Sequence, residues 1–183
     1  MHGLVSLLSQ PYYEKVEALW KELEEDCSLR GIRATPFPHF SWQIAGEYDF
    51  DRLEVIMKEV ASNTVPLEIQ TSGIGLFTGP RPVIYVSIVK SPALMDFQNT
   101  LWERTQEVSQ ETSPYYSPEL WIPHISLAYE DVDQMNIAAV IGKLAFDSFV
   151  WKMTVDNLSL IFQPSGATGS LWYHFKFTSP SHS

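Results

Sequence analysis

Pro38-His39-Phe40-Ser41 and Pro123-His124-Ile125-Ser126 are two copies of one pattern, and their reading decides the fold. They stand 85 residues apart in a chain of 183, one in each half. Along an extended strand, side chains alternate between faces, so positions i and i+2 point the same way. Each copy therefore presents an imidazole and a hydroxyl side by side on one surface. Two such strands set together gather two imidazoles and two hydroxyls in one cleft. That arrangement suits acid–base chemistry on a phosphate.

Outward from the motifs, the halves follow one order: helix, Pro-His-x-Ser strand, acid-led helix, strand, hairpin. In the first half, residues 3–8 read as a strand. From Tyr13 onward, Val16, Leu19, Trp20, Leu23 and Cys27 keep the spacing of an amphipathic helix, with Cys27 as a core filler on the apolar stripe. Pro36 and Pro38 break the chain before a strand at 39–45. Asp51 and Glu54 suggest the cap of a second helix, Val65–Thr71 reads as a strand, and Ile74–Phe77 with Val83–Val89 reads as a hairpin. In the second half, Ser91-Pro92 starts a helix, and a polar stretch from Ser109 to Glu119 leads to the motif strand at 122–129. Asp133 is expected to cap a helix running to Leu144. A strand at 149–155 and a hairpin of 158–162 with 171–177 follow, and the Ser/Pro tail after Thr178 is expected to fray. The expected fold is α+β: a single bilobal domain over 1–183, each lobe a mostly antiparallel sheet backed by helices, with the cleft between lobes.

Composition bounds the function. Hydrophobic residues make up 45% and charged residues 19%, ordinary values for a globular protein. No run reaches the length of a transmembrane helix and no basic region precedes an apolar run at the start, so no membrane partner is expected. A single cysteine excludes an intrachain disulfide, and the expected compartment is the cytoplasm. The formal net charge of −10 argues against a grip on long nucleic acid, which needs a basic surface. A small anionic ligand needs only a few donors. The chain is expected to act as a monomer on such a ligand.

With five histidines, about one His-x-Ser/Thr arises by chance, so one copy means little. Two copies, each after proline and each in an apolar strand at equivalent places, mean more. The competing reading makes each histidine a satisfied core residue. A catalytic zinc site needs three protein ligands, and neither histidine has a carboxylate two residues away. No Gly-x-Ser-x-Gly elbow, GxGxxG or Walker A loop is present. Expected, then, are no metal and no cofactor. Imidazole has an unperturbed pKa near 6.5, so at neutral pH one of His39 and His124 can be neutral and the other protonated. One takes a proton from the attacking oxygen and the other gives one to the departing alkoxide. Ser41 and Ser126 would donate to the non-bridging phosphoryl oxygens.

The paired strands resemble the signature of the two-histidine (2H) phosphoesterase superfamily, which includes bacterial 2′-5′ RNA ligase-like proteins and plant cyclic nucleotide phosphodiesterases. The stretch Trp121 to Tyr129 is most similar to the plant type, whose pocket is lined by a tyrosine five residues after the second histidine; Tyr129 fills that place. By strict alternation Tyr129 faces away from His124, so this carry-over requires a twist or bulge. The first motif of the family often has threonine, and here Ser41 keeps the hydroxyl. The resemblance implies a metal-free bilobal enzyme that opens a small cyclic phosphate, either a nucleoside 2′,3′-cyclic phosphate or ADP-ribose 1″,2″-cyclic phosphate, to a 2′-phosphorylated product. The alternatives are an enzyme ligating, cleaving or trimming oligonucleotides, and so binding short RNA, or a non-catalytic nucleotide-binding module. Trp42, with Tyr85, Tyr115, Tyr116, Trp121 and Trp172, could stack a base at the rim; core packing is the competing role for each. Arg33 and Arg81 could steer a phosphate, and His2, His174 and His182 lack the motif.

Overall fold

The computed structural model describes residues 1–178, so the tail after Thr178 and His182 lie outside the described residues. In chain order the elements are β1 (His2–Leu7), α1 (Tyr12–Cys27), β2 (His39–Ala45), β3 (Glu47–Tyr48), α2 (Phe50–Ser62), β4 (Leu67–Phe77) and β5 (Val83–Ile88). Then come α3 (Pro92–Thr105), β6 (Ser109–Gln110), β7 (His124–Ala128), α4 (Ile137–Leu144), β8 (Lys152–Val155), β9 (Asn157–Phe162) and β10 (Ser170–Lys176). Two 3-10 turns, Gly31–Ala34 and Pro114–Tyr116, lead toward the motif strands.

The fold is the α+β arrangement the motifs called for, with two four-stranded sheets and a short two-stranded one, β3-β6. One antiparallel sheet has the order β10-β9-β1-β2, the other β7-β5-β4-β8. Each sheet mixes the halves of the sequence: the second half's hairpin, β9-β10, joins β1-β2, and the first half's β4-β5 joins β7 and β8. Helix cover is exchanged in the same way. α3, from the second half, packs on β2, and α1, from the first half, packs on β7. Each motif strand ends its sheet, and β2 and β7 lie against one another.

Local chemistry explains the helix ends. The Ser91 hydroxyl accepts from the Leu94 N–H at 3.2 Å, with Pro92 as first helical residue, as expected. α2 is capped by Asp49, whose carboxylate accepts from the Arg52 N–H at 3.2 Å; Asp51 sits inside the first turn, where its charge still favours the helix dipole. Asp133 accepts from the N–H groups of Met135 and Asn136 in a turn before α4, so that helix begins four residues later, at Ile137. α1 ends where Ser28 adopts a left-handed conformation (φ 59°) and returns its N–H to the Glu24 carbonyl.

One apolar core runs behind both sheets. At the seam between the motif strands Trp42 stacks on Trp121, ring centroids 5.4 Å apart and planes 26° from parallel. Cys27 is partly buried against this core, as a filler would be. Among the described residues no helix is long and apolar enough to cross a membrane.

Candidate active site

The two motifs are built alike. The Leu8 N–H donates to the Pro38 carbonyl at 3.0 Å, and the Ile88 N–H to the Pro123 carbonyl at 3.1 Å, which docks each proline on the neighbouring strand. His39 then lies opposite Leu7 of β1, and His124 opposite Ser87 of β5. Both strands read half-buried, buried, half-buried over His-x-Ser: Phe40 and Ile125 go into the core, while imidazoles and hydroxyls take the opposite face of each strand.

Each imidazole is tethered through Nδ1 to the carbonyl two residues earlier. His39 Nδ1 is 2.5 Å from the Phe37 oxygen and His124 Nδ1 2.7 Å from the Ile122 oxygen. A carbonyl only accepts, so Nδ1 carries the proton in both and the neutral ring keeps Nε2 as a free base. Burial lowers both pKa values. For His39 the result is about 4, the Phe37 carbonyl opposing the shift and the charge of His124 adding to it; for His124 burial again dominates, opposed by the Ile122 carbonyl. Both rings are therefore neutral at pH 7 in the free protein. Burial penalises the imidazolium on both sides.

The carbonyls of the motif serines are held by crossing indoles. Trp121 Nε1 donates to the Ser41 oxygen at 2.9 Å, and Trp20 Nε1 to the Ser126 oxygen at 3.0 Å. A tryptophan from each half thus fixes the serine of the other, and satisfies a carbonyl at the sheet edge. Immediately after each serine the strand bulges. Trp42 is the extra residue between the Ser41–Val5 and Gln43–Leu4 pairs, and Leu127 the extra residue between Ser126–Tyr85 and Ala128–Ile84.

The second bulge reverses the phase of the chain beyond Leu127, the condition on which the placing of Tyr129 at the cleft depended. Tyr129 is half-buried, close enough to Tyr116 for their charges to interact, and beside Arg81 and Glu130. Trp42 goes elsewhere. It is only 1% exposed, its indole donates to the Ser6 hydroxyl at 2.8 Å, and it belongs to the core behind the cleft. A residue adjacent to Ser41 points to the opposite face, so alternation itself places it there. Trp121 is likewise wholly buried, whereas Tyr85 packs beside His124 with centroids 5.1 Å apart.

Sequence reasoning missed one neighbour of the imidazoles. Phe77, at the end of β4, meets the His124 ring edge-on at 4.9 Å and stacks on Tyr85 at 4.1 Å. Tyr116, one of the aromatic rim candidates, is half-buried, and the turn that carries it packs on β2. Of the arginines considered, Arg33 pairs with Glu24 at 3.5 Å over the Trp20 ring, and Arg81 with Glu130 at 3.7 Å. An open basin of about 700 Å³ extends past Tyr129, lined by Arg30, Arg33, Glu130 and the loop 163–168. No group of three or more His, Cys, Asp or Glu side chains placed to hold a metal occurs among the described residues.

Comparison with known proteins agrees with this architecture. The family model for the 2′-5′ RNA ligase superfamily matches residues 12–166. A candidate phosphoesterase of Bacillus cytotoxicus is 24% identical over 169 residues, covering 91% of this chain and 90% of the relative. One from Bacillus cereus is 23% identical over 181 residues, 95% of each. Among solved structures, a protein of Thermus thermophilus superposes with a TM-score of 0.64 at 17% identity over 100% of both chains. Escherichia coli LigT, crystallised with 3′-AMP, gives 0.55 at 15% identity over 98% of this chain and 100% of that one.

Proposed function

The chain belongs to the 2′-5′ RNA ligase superfamily, and from that premise we propose that it is a phosphoesterase that opens a small cyclic phosphate by acid–base catalysis between His39 and His124. The observation that carries this reading is the matched pair of tethered imidazoles on two abutting strands, near enough for the charge of one to act on the other. Water attacks phosphorus while the free Nε2 of one ring takes its proton. The P–O bond to the ribose oxygen breaks, and the other ring, as imidazolium, gives its Nε2 proton to that oxygen. The product is a phosphomonoester, and proton exchange with solvent resets the pair. Each transfer contributes about 10²–10⁴-fold in systems of this kind. Ser41 and Ser126 donate to the non-bridging oxygens as charge builds there.

Neutral rings in the free protein fit this scheme. An anionic phosphate between them favours protonation of one ring, so substrate brings the acid into being where it is needed. Because imidazoles cover both proton transfers, turnover is expected to survive EDTA. A nucleotide substrate is in keeping with the 3′-AMP bound by LigT. The second reading, action on 2′-5′-linked or terminal RNA, is favoured by the open basin past Tyr129, which leaves room for a further nucleotide. A panel of nucleoside 2′,3′-cyclic phosphates, ADP-ribose 1″,2″-cyclic phosphate and 2′-5′ oligonucleotides, with products resolved chromatographically, separates the two. Ring opening of the small substrates to 2′-phosphates is the expected result. Turnover of oligonucleotides alone would transfer the assignment to the second reading.

A further inference from the structure

We infer that Tyr85 is a positioning residue for His124, and that position 75 is glycine to make room for it: the phenol ring lies across β4 and braces the imidazole in the orientation the reaction needs. The inference rests on the reading above that His124 exchanges a proton with substrate. Tyr85, in the middle of β5, is paired with Gly75 of β4 on one side and with Ser126 of β7 on the other, and His124 is paired with Ser87, two residues on. Directly opposed residues share a face of a sheet, as do residues two apart along a strand. Tyr85 thus stands on the face that carries the imidazole and hydroxyl of the second motif, while its chain neighbours Ile84 and Val86 go into the core.

On that face a side chain from β4 would occupy the ground the phenol takes. A Cβ placed on Gly75 would lie 2.5 Å from Cζ of the Tyr85 ring, 2.6 Å from Cε2 and 2.7 Å from the hydroxyl oxygen, closer than van der Waals contact permits. Gly75 lies within a strand and outside the left-handed region, so its bare backbone serves the ring and not a turn. Laid across the glycine, the phenol stacks on Phe77 with centroids 4.1 Å apart and planes 28° from parallel. Both rings then meet His124, Tyr85 at 5.1 Å and Phe77 edge-on at 4.9 Å. The tether from His124 Nδ1 to the Ile122 carbonyl fixes one point of the imidazole, and a plane held at one point still tilts. Packing against two rings removes that freedom and sets the direction in which Nε2 projects. Proton transfer depends on such orientation, and a misplacement of about 1 Å is already costly.

The test is steady-state turnover of adenosine 2′,3′-cyclic phosphate together with NMR of the imidazole protons, the His124 signals being assigned by their loss in His124→Ala. Gly75→Ala drives its new methyl into the phenol. It is expected to lower kcat about 3- to 10-fold, the size of one lost aromatic contact, with KM within about twofold of wild type. The His124 signals should shift while those of His39 move far less. Tyr85→Leu removes the ring and frees the space, and should cost at least as much. Gly75→Ala added to Tyr85→Leu should then cost nothing further, because the two changes act through one contact. Tyr85→Phe keeps the ring and should retain more of the rate than Tyr85→Leu. Gly142→Ala, where an added Cβ meets nothing, is the control and should be silent. Thermal unfolding is measured for each variant, and the Gly75→Ala arm decides alone should Tyr85→Leu not fold. Wild-type kcat in Gly75→Ala would overturn the inference, as would losses that multiply in the double variant or equal shifts in both histidines. Absence of all turnover of cyclic phosphates by the wild type would overturn the reading beneath it, and the NMR arm would still decide whether Tyr85 braces His124.

Discussion

The strands β2 and β7 are close copies in backbone and unlike in surroundings. Each has the docked proline, the Nδ1 tether, an indole on the serine carbonyl and a bulge one residue later. Around that common frame, His124 is packed by the rings of Phe77 and Tyr85, while burial takes the pKa of His39 down to about 4. The difference teaches how a symmetric scaffold supports an asymmetric reaction. An acid and a base must differ in proton affinity at the moment of reaction, and identical backbones can supply that only through different neighbours.

The largest expected effect comes from the imidazoles themselves. Replacing either His39 or His124 with alanine should reduce kcat by about 10²–10⁴-fold, with KM changed far less; folding is confirmed by circular dichroism before rates are compared. Next are the hydroxyls. Ser41→Ala and Ser126→Ala should each cost about 10–10³-fold, corresponding to losses of about 4 kcal/mol or less.

Titration separates the strands further. The kcat/KM profile reports the free protein, where burial holds both imidazoles below their usual range, so its bell should be centred on the acid side of pH 6.5. Phe77→Ala opens the environment of His124 to water and should raise that ring's pKa while leaving His39 in place, as read by NMR of the imidazole protons. Folding stability has the same sign. Because His39 titrates near 4 when folded and near 6.5 when unfolded, the unfolded chain binds more protons between those values. Stability should be full above about pH 6.5 and fall as the pH drops toward 4. His39→Ala should flatten that acid limb in Tm measurements. Smaller again are the struts: Trp20→Phe and Trp121→Phe each leave a serine carbonyl without its donor and should cost about 1–3 kcal/mol of stability.

Much of this is legible in the chain. The repeated Pro-His-x-Ser marks the motif strands, the matching order of elements points to two antiparallel sheets, and the Ser91-Pro92 cap stands as read. Tyr129 is legible only conditionally, since nothing in Ser126-Leu127-Ala128 announces a bulge. The exchange of strands and helices between the halves is not legible, because local periodicity records which face is buried and not which partner buries it. Phe77 is missed as a neighbour of His124 for the same reason: 47 residues separate them. The aromatic character of Trp42 suggests the rim, yet its position next to Ser41 already sends it inward.

The most direct test of the paired site compares His39→Ala, His124→Ala and the double variant, each shown to be folded, in turnover of adenosine 2′,3′-cyclic phosphate with EDTA present. Groups that act as one unit are not additive. The wild type should turn over in EDTA, each single variant should lose most of that rate, and the double variant should be little slower than the worse single one. A folded His124→Ala protein working at near the wild-type rate would contradict the account.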